Sequence, residues 1–331
     1  MANLKLTLIC SDNDRTRPII DGQVRPDAID LEITVAHPSE MFWRQLSKSE
    51  FDISEMSMSS YLIITAQNDQ RFVGLPVFTS RRFFHTGGLA RTDRGIDKPE
   101  DLKGKKVGVP EYQQTAALWS RGALEHEFGV KPKDVEWWME RTEDRSHGGA
   151  TGFKAPPGVT INFIPAEKNI GTMMASGELD ATILYITDPN AVDRSTIDLR
   201  NDPKVKTLFP DPRAEGVRYY KKTGIYPINH GVVVKRSVLE QHPWVAINLY
   251  KAFAEARDRV AARTRELTGV YFDLGLLPPA SRSEMTMDPY PYGVKDNRKI
   301  LETIAEYSHE QGLTPRVVKL EEVFAPSTME L

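Results

Sequence analysis

The chain has a single cysteine, Cys10, in 331 residues. That rules out an internal disulfide framework and any metal or iron–sulfur centre built on several thiolates. Nothing in it approaches the roughly twenty consecutive apolar residues that a bilayer-spanning helix needs. The apolar run inside Met1–Arg17 alternates as a strand does and is too short for the core of an export signal. A cytoplasmic location without membrane association is therefore expected. An excess of one charge sign is lacking too: 43 Lys plus Arg stand against 46 Asp plus Glu, a net charge of -3. The basic residues are dispersed, so no footprint for nucleic acid stands out. No GxGxxG, phosphate-cradling P-loop or HExxH pattern occurs, and neither a nucleotide cofactor nor a metal is expected.

What is present is an ordinary globular composition, 40% apolar and 27% charged, on a chain long enough for two lobes. Short β-rich segments alternate with helical ones, the pattern of sheets covered by helices, so the fold class is α/β. Strands are expected at Leu4–Cys10, Leu31–Val35, Ile53–Met56, Lys106–Val109, Val159–Phe163, Ala181–Leu184 and Gly231–Val234. Apolar residues at helical spacing predict helices at Ser39–Ser47, Thr115–Glu127, Ile170–Ser176, Trp244–Thr264 and Asn297–His309. A polar turn and a short helical turn run from Arg94 into the strand at Lys106, and a second lobe begins there. The expected division is residues 1–95 plus 228–331 for the first lobe and 96–227 for the second. The Thr115 helix should stop at Gly129, with Pro132 beyond it. Its free N-terminus, near Gln113–Ala117, favours a carboxylate or other anion.

Several strings carry a resemblance. Asp52-Ile-Ser-Glu-Met56, Pro99-Glu-Asp-Leu-Lys-Gly-Lys-Lys-Val-Gly-Val109, Leu179-Asp-Ala181 and Val232-Val-Val-Lys235 with His242-Pro-Trp resemble the type II periplasmic-binding-protein fold. Val109-Pro-Glu-Tyr-Gln-Gln-Thr-Ala-Ala-Leu-Trp-Ser-Arg-Gly122, Thr223-Gly-Ile-Tyr-Pro-Ile-Asn-His230 and Asn13-Asp-Arg-Thr16 resemble the 4,5-dihydroxyphthalate decarboxylases, and the likeness covers nearly the whole chain. The resemblance implies two lobes with a ligand cleft between them, a cofactor-free cytoplasmic decarboxylase of a small aromatic carboxylate, and a homo-oligomer. Asn229 stands where the resemblance implies an apolar residue. A non-catalytic transport receptor is the alternative and would carry an export signal. Among other enzymes of this scaffold, the thiamine-pyrimidine synthases need a cysteine-rich segment, whereas menaquinone-pathway enzymes stay open.

In such folds ligand groups come from loops at the carboxyl ends of strands. Arg15 follows the first strand and could hold a carboxylate bidentately, or sit in a solvated charged turn. Ser57 and Ser59 could donate to a ligand or cap a helix. In Ser80–His85, strand alternation would aim only one of Arg81 and Arg82 at the cleft, with His85 beside the first. On the second lobe Glu111, Tyr112 and Gln113 could meet a ring hydroxyl, with Thr115, Trp119 and Arg121 behind; Trp119 could equally be core. His230 leads as proton donor, because imidazole titrates near neutrality and this histidine opens a strand near the return between lobes. His85 is the second candidate. His37, His126, His147 and His309 fall in polar, exposed-looking segments, and His242 starts a helix.

Overall fold

The computed structural model describes residues 2–331, the side chain of Thr286 apart. Eleven strands among the described residues form two sheets. They are β1 (Leu4–Cys10), β2 (Ile29–Val35), β3 (Ile53–Ser57), β4 (Phe72–Arg81), β5 (Leu89–Arg91), β6 (Lys106–Val109), β7 (Glu136–Met139), β8 (Thr160–Phe163), β9 (Ala181–Thr182), β10 (Val205–Thr207) and β11 (Ile228–Lys235). The first sheet has the order β2-β1-β3-β11-β4 and the second β10-β5-β9-β6-β7-β8. In the first sheet β1 runs parallel to β2 and β3, while β11 returns antiparallel between β3 and β4. That single reversal puts the start of β11 beside the carboxyl ends of β3 and β4, with the end of β1 one strand further on.

The chain changes sheet between Arg81 and Leu89 and again between Thr207 and Ile228. β5 lies in the second sheet, so the first crossing comes earlier in the chain than the expected boundary at residue 96. The Thr115–Phe128 helix stops where Gly129 adopts φ 65°, a conformation that favours glycine. One hydrophobic cluster runs from Leu8 and Ile53 through Trp119 to Val107 and Trp137, so the two sheets share a core. A smaller cluster, including Leu89, Met174 and Leu179, fills the far side of the second sheet. No helix among the described residues is long and apolar enough to cross a membrane.

Candidate active site

The site grows from the reversal at β11. His230 pairs with Ser57 of β3 on one side and Ser80 of β4 on the other, and the β4 pairing shifts register on both sides of it. Such irregularities re-aim a side chain. Here His230 Nδ1 lies 2.9 Å from Glu55 Oε1. Glu55 is fully buried on β3, a position that is paid for only if the carboxylate is well bonded. It is: Thr79 donates to Oε1 at 2.6 Å, and the Ser11 amide and hydroxyl donate to Oε2 at 2.7 and 2.6 Å. Burial alone would push this carboxyl up, but the bond and charge of His230 with the two hydroxyls hold it down at about 2. Glu55 is thus ionised and fixes Nδ1 of His230 as the donor.

The other ring nitrogen, Nε2, is 2.8 Å from the side-chain amide of Asn229. As oriented, the amide NH₂ donates and Nε2 is a base; rotation of the amide would offer its oxygen to a protonated Nε2. The unexpected polar residue at 229 therefore suits both protonation states. Phe42 packs its edge against the His230 ring at 4.7 Å and against His147 at 5.4 Å. The neighbouring Cys10 is buried, and desolvation with the nearby Glu55 charge pushes its thiol up to about 12, leaving it protonated.

Facing this arrangement is the second lobe. The Ser57 and Thr115 hydroxyls lie 2.8 Å apart, and the Ser59 amide donates to Thr115 Oγ1 at 2.9 Å. Two helices, Met58–Ala66 and Thr115–Phe128, start at this point. The buried Ser59 Oγ, Gln113 Oε1 and Gln114 Oε1 have no hydrogen-bond partner among the described residues. Converging helix N-termini with spare polar atoms suit an anion.

Behind them lies a charged cluster. Arg141 reaches Asp193 at 2.7 Å, Glu111 at 2.7 Å and, across the cleft, Ser39 at 2.6 Å. Glu111 also accepts from the Gly148 amide at 2.6 Å and from the Gln113 side chain. His147, 3.4 Å from both Ser60 and Arg141, is buried, which corrects the expectation of an exposed residue. Burial is the main cause of its lowered pKa, so the ring is neutral. No group of three or more His, Cys, Asp or Glu side chains among the described residues is arranged to hold a metal ion.

The structure thus brings His230, Ser57, Ser59 and Thr115 together, with Glu111 and Gln113 just behind. Arg15 stands beside them: it donates to the Thr79 carbonyl at 2.6 Å and stacks on Tyr290 at 4.1 Å. The remaining candidates lie elsewhere. His85 bonds Glu215 at 3.1 Å and packs on Tyr219 and Phe209, in a cluster that shares no partner with Glu55. Arg81 is buried and donates to the Pro291 carbonyl and to Asn297, while Arg82 is exposed. The alternation expected for Ser80–His85 fails because β4 ends at Arg81 and a 3₁₀ turn takes over at Phe84. Trp119 donates to the Ile228 carbonyl at 2.8 Å and so braces the strand that carries His230. Arg121 lies 3.7 Å over the Tyr112 ring and donates to Gln311, and that ring packs on Trp137 and Phe153. Tyr112 belongs to the packing of the second lobe, and Arg121 ties it to the C-terminal part of the chain.

Sequence reasoning missed Glu55, Phe42, Arg141, His147 and Asp193. A carboxylate between Ile53 and Met56 in a predicted strand was the available signal for Glu55, since a buried acid needs partners.

Two sheets joined by two chain crossings, with an antiparallel return strand in the first, define a periplasmic-binding-protein-like chain. Solved structures agree on the fold. The periplasmic aliphatic sulphonate binding protein SsuA of Escherichia coli is similar with a TM-score of 0.54 and 15% identity, over 98% of this chain and 92% of that one. The alkanesulfonate-binding protein SsuA of Xanthomonas axonopodis pv. citri, bound to MOPS, gives 0.55 and 11% over 99% and 98%. The NMT1/THI5 like family model matches residues 29–146. A 4,5-dihydroxyphthalate decarboxylase of Comamonas testosteroni is 35% identical over 100% of this chain and 99% of its own length. Another, from Pseudomonas putida, is 38% identical over 67% of this chain and 83% of its own. The chain belongs to the 4,5-dihydroxyphthalate decarboxylase family.

Proposed function

We propose that the chain is a carboxy-lyase that converts 4,5-dihydroxyphthalate to protocatechuate and carbon dioxide in the cytoplasm, as a homo-oligomer. The observation that carries this reading is His230, held by an ionised, fully buried Glu55 at the mouth of an anion-favouring seam. One substrate carboxylate would sit at the two helix N-termini near Ser57, Ser59 and Thr115, with Arg15 as a further anchor. His147, neutral and packed on Phe42 as His230 is, would take the proton of the ring hydroxyl para to the departing carboxylate. The hydroxyl's electrons then move to the carboxylate-bearing carbon, which takes a proton from Nε2 of His230. Breaking the bond to the carboxylate releases carbon dioxide and returns that electron pair to the ring, which regains its aromaticity as a phenolate and takes its proton back from His147. The cycle consumes one solvent proton, which restores His230. The ring holds the charge itself, so no electron-sink cofactor is called for. Exclusion of water within the seam strengthens each of these contacts.

Incubating purified protein with 4,5-dihydroxyphthalate and following protocatechuate by chromatography tests the reading; absence of product under conditions where the protein is folded and binds the substrate would refute it. Activity should survive exhaustive dialysis without added nucleotide, pyridoxal phosphate or thiamine diphosphate. Loss that one of these alone restores would contradict that expectation. Arg15→Gln should raise KM about tenfold and change kcat less, since an anchor for a carboxylate acts in ground and transition states alike. An unchanged KM would remove Arg15 from the substrate's contacts.

A further inference from the structure

We propose that the projecting end of the Val245–Asp273 helix and the segment returning from it form the surface on which a second copy of this chain docks. The helix is anchored by Leu249, Ala252, Phe253 and Ala256, all buried. Beyond Ala256, no described residue is fully buried until Tyr292. Over that stretch the sequence does not turn polar. Leu267, Val270, Tyr271, Leu274, Leu276 and Met287 are each more than half exposed, and they make up nearly half of the exposed large apolar side chains among the described residues. The first four are spaced three and four apart, so they form one continuous stripe along the helix.

Monomeric proteins rarely leave such a patch open to water. The exposed fractions correspond to on the order of 600 Å² of side-chain surface, close to the roughly 800 Å² that each partner of a stable complex buries. The charges beside the stripe identify the occupant. Glu255, Arg259, Arg263, Glu266 and Asp273 recur at intervals of four, four, three and seven residues and so line one flank of the helix, with two arginines between acidic residues. In an antiparallel pair of identical helices the same flank faces itself, and the arginines at its middle meet the acidic residues nearer the tip of the other copy. The flank is thus complementary to its own copy related by a two-fold axis, with Arg263 of one chain beside Asp273 of the other. The local bridges from Arg263 to Glu266 at 2.7 Å, from Arg259 to Glu255 at 2.8 Å and from Arg282 to Asp273 at 3.9 Å are solvent-exposed and worth little, so they exchange readily.

Sedimentation velocity on the full chain at micromolar concentration tests this. The wild-type chain should sediment as a dimer or a higher even assembly. Leu267→Glu combined with Leu274→Glu should weaken association about a hundredfold or more while the melting temperature stays near wild type, because both positions are solvent-exposed within one chain. Asp273→Arg alone should weaken association, and adding Arg263→Asp should restore it. A monomeric wild-type chain, an unchanged assembly in the folded double-Glu variant, or a monomer that pellets with anionic phospholipid vesicles would each overturn the proposal, the last in favour of a membrane surface.

Discussion

His230→Asn should lower kcat by about a hundredfold or more while substrate affinity survives, the scale on which loss of general acid catalysis is felt. Asparagine can still hydrogen-bond toward Glu55, whose carboxylate accepts from Ser11 and Thr79 in any case. The fold therefore keeps its bonds and loses only the titrating group. If His230 instead gripped a carboxylate, KM would rise with kcat little changed. Calorimetric affinity, thermal melting and turnover on one preparation separate these outcomes. Near-normal kcat in a well-folded variant would end the assignment of His230 as proton donor and make His147 the group to test next.

Glu55→Gln should have the largest effect on stability and on its pH dependence. The folded carboxyl titrates at about 2 against 4.5 for an unperturbed group. Because the folded value is the lower one, the stabilisation is present above about pH 4.5 and disappears as pH falls toward 2. At 1.36 kcal/mol per unit it amounts to about 3 kcal/mol. The variant should be less stable near neutrality and should lack this share of the acid-induced loss. Turnover should fall as well, since His230 loses the carboxylate that fixes its ring orientation and tautomer. Urea melts of both proteins at neutral and acid pH measure the difference. Parallel pH profiles for the two would show that Glu55 carries no such linkage.

The fold was readable wherever a segment's own periodicity decided its structure. Leu4–Cys10, Lys106–Val109 and Ile170–Ser176 have the bounds the sequence suggests, and the helix Pro38–Lys48 differs from expectation by a residue at each end. What escaped was set by partners distant in sequence. β4 is the longest strand, yet all ten of its residues but Ser80 are buried, so no alternation marks it out. The helix at Val245 runs on to Asp273 rather than stopping near Thr264, because neither glycine at the expected end nor proline interrupts it. The site divided in the same way. Histidine at the start of β11 pointed to itself by chemistry, whereas Glu55, 175 residues away, became its partner only through strand pairing. His147 looked exposed because its neighbours in sequence are polar and small. Its burial comes from Phe42 and Ser60 on the other lobe.

The contacts that shut the cleft have a kinetic meaning. On the first-lobe side they come from Ser39, Ser57, Ser59 and Ser60, neutral groups that meet Arg141, Thr115 and His147. A hydrogen bond between neutral groups nets only about 1 kcal/mol and the charge-assisted one from Arg141 to Ser39 about 2 kcal/mol, since water offers nearly the same. A receptor profits from a long-lived grip, but a catalyst must discharge its product many times over. A seam of serines lets an arriving carboxylate displace one hydroxyl after another on the way in, and lets solvent displace the departing acid on the way out. The cleft fastenings are exchangeable by construction, which favours turnover over retention.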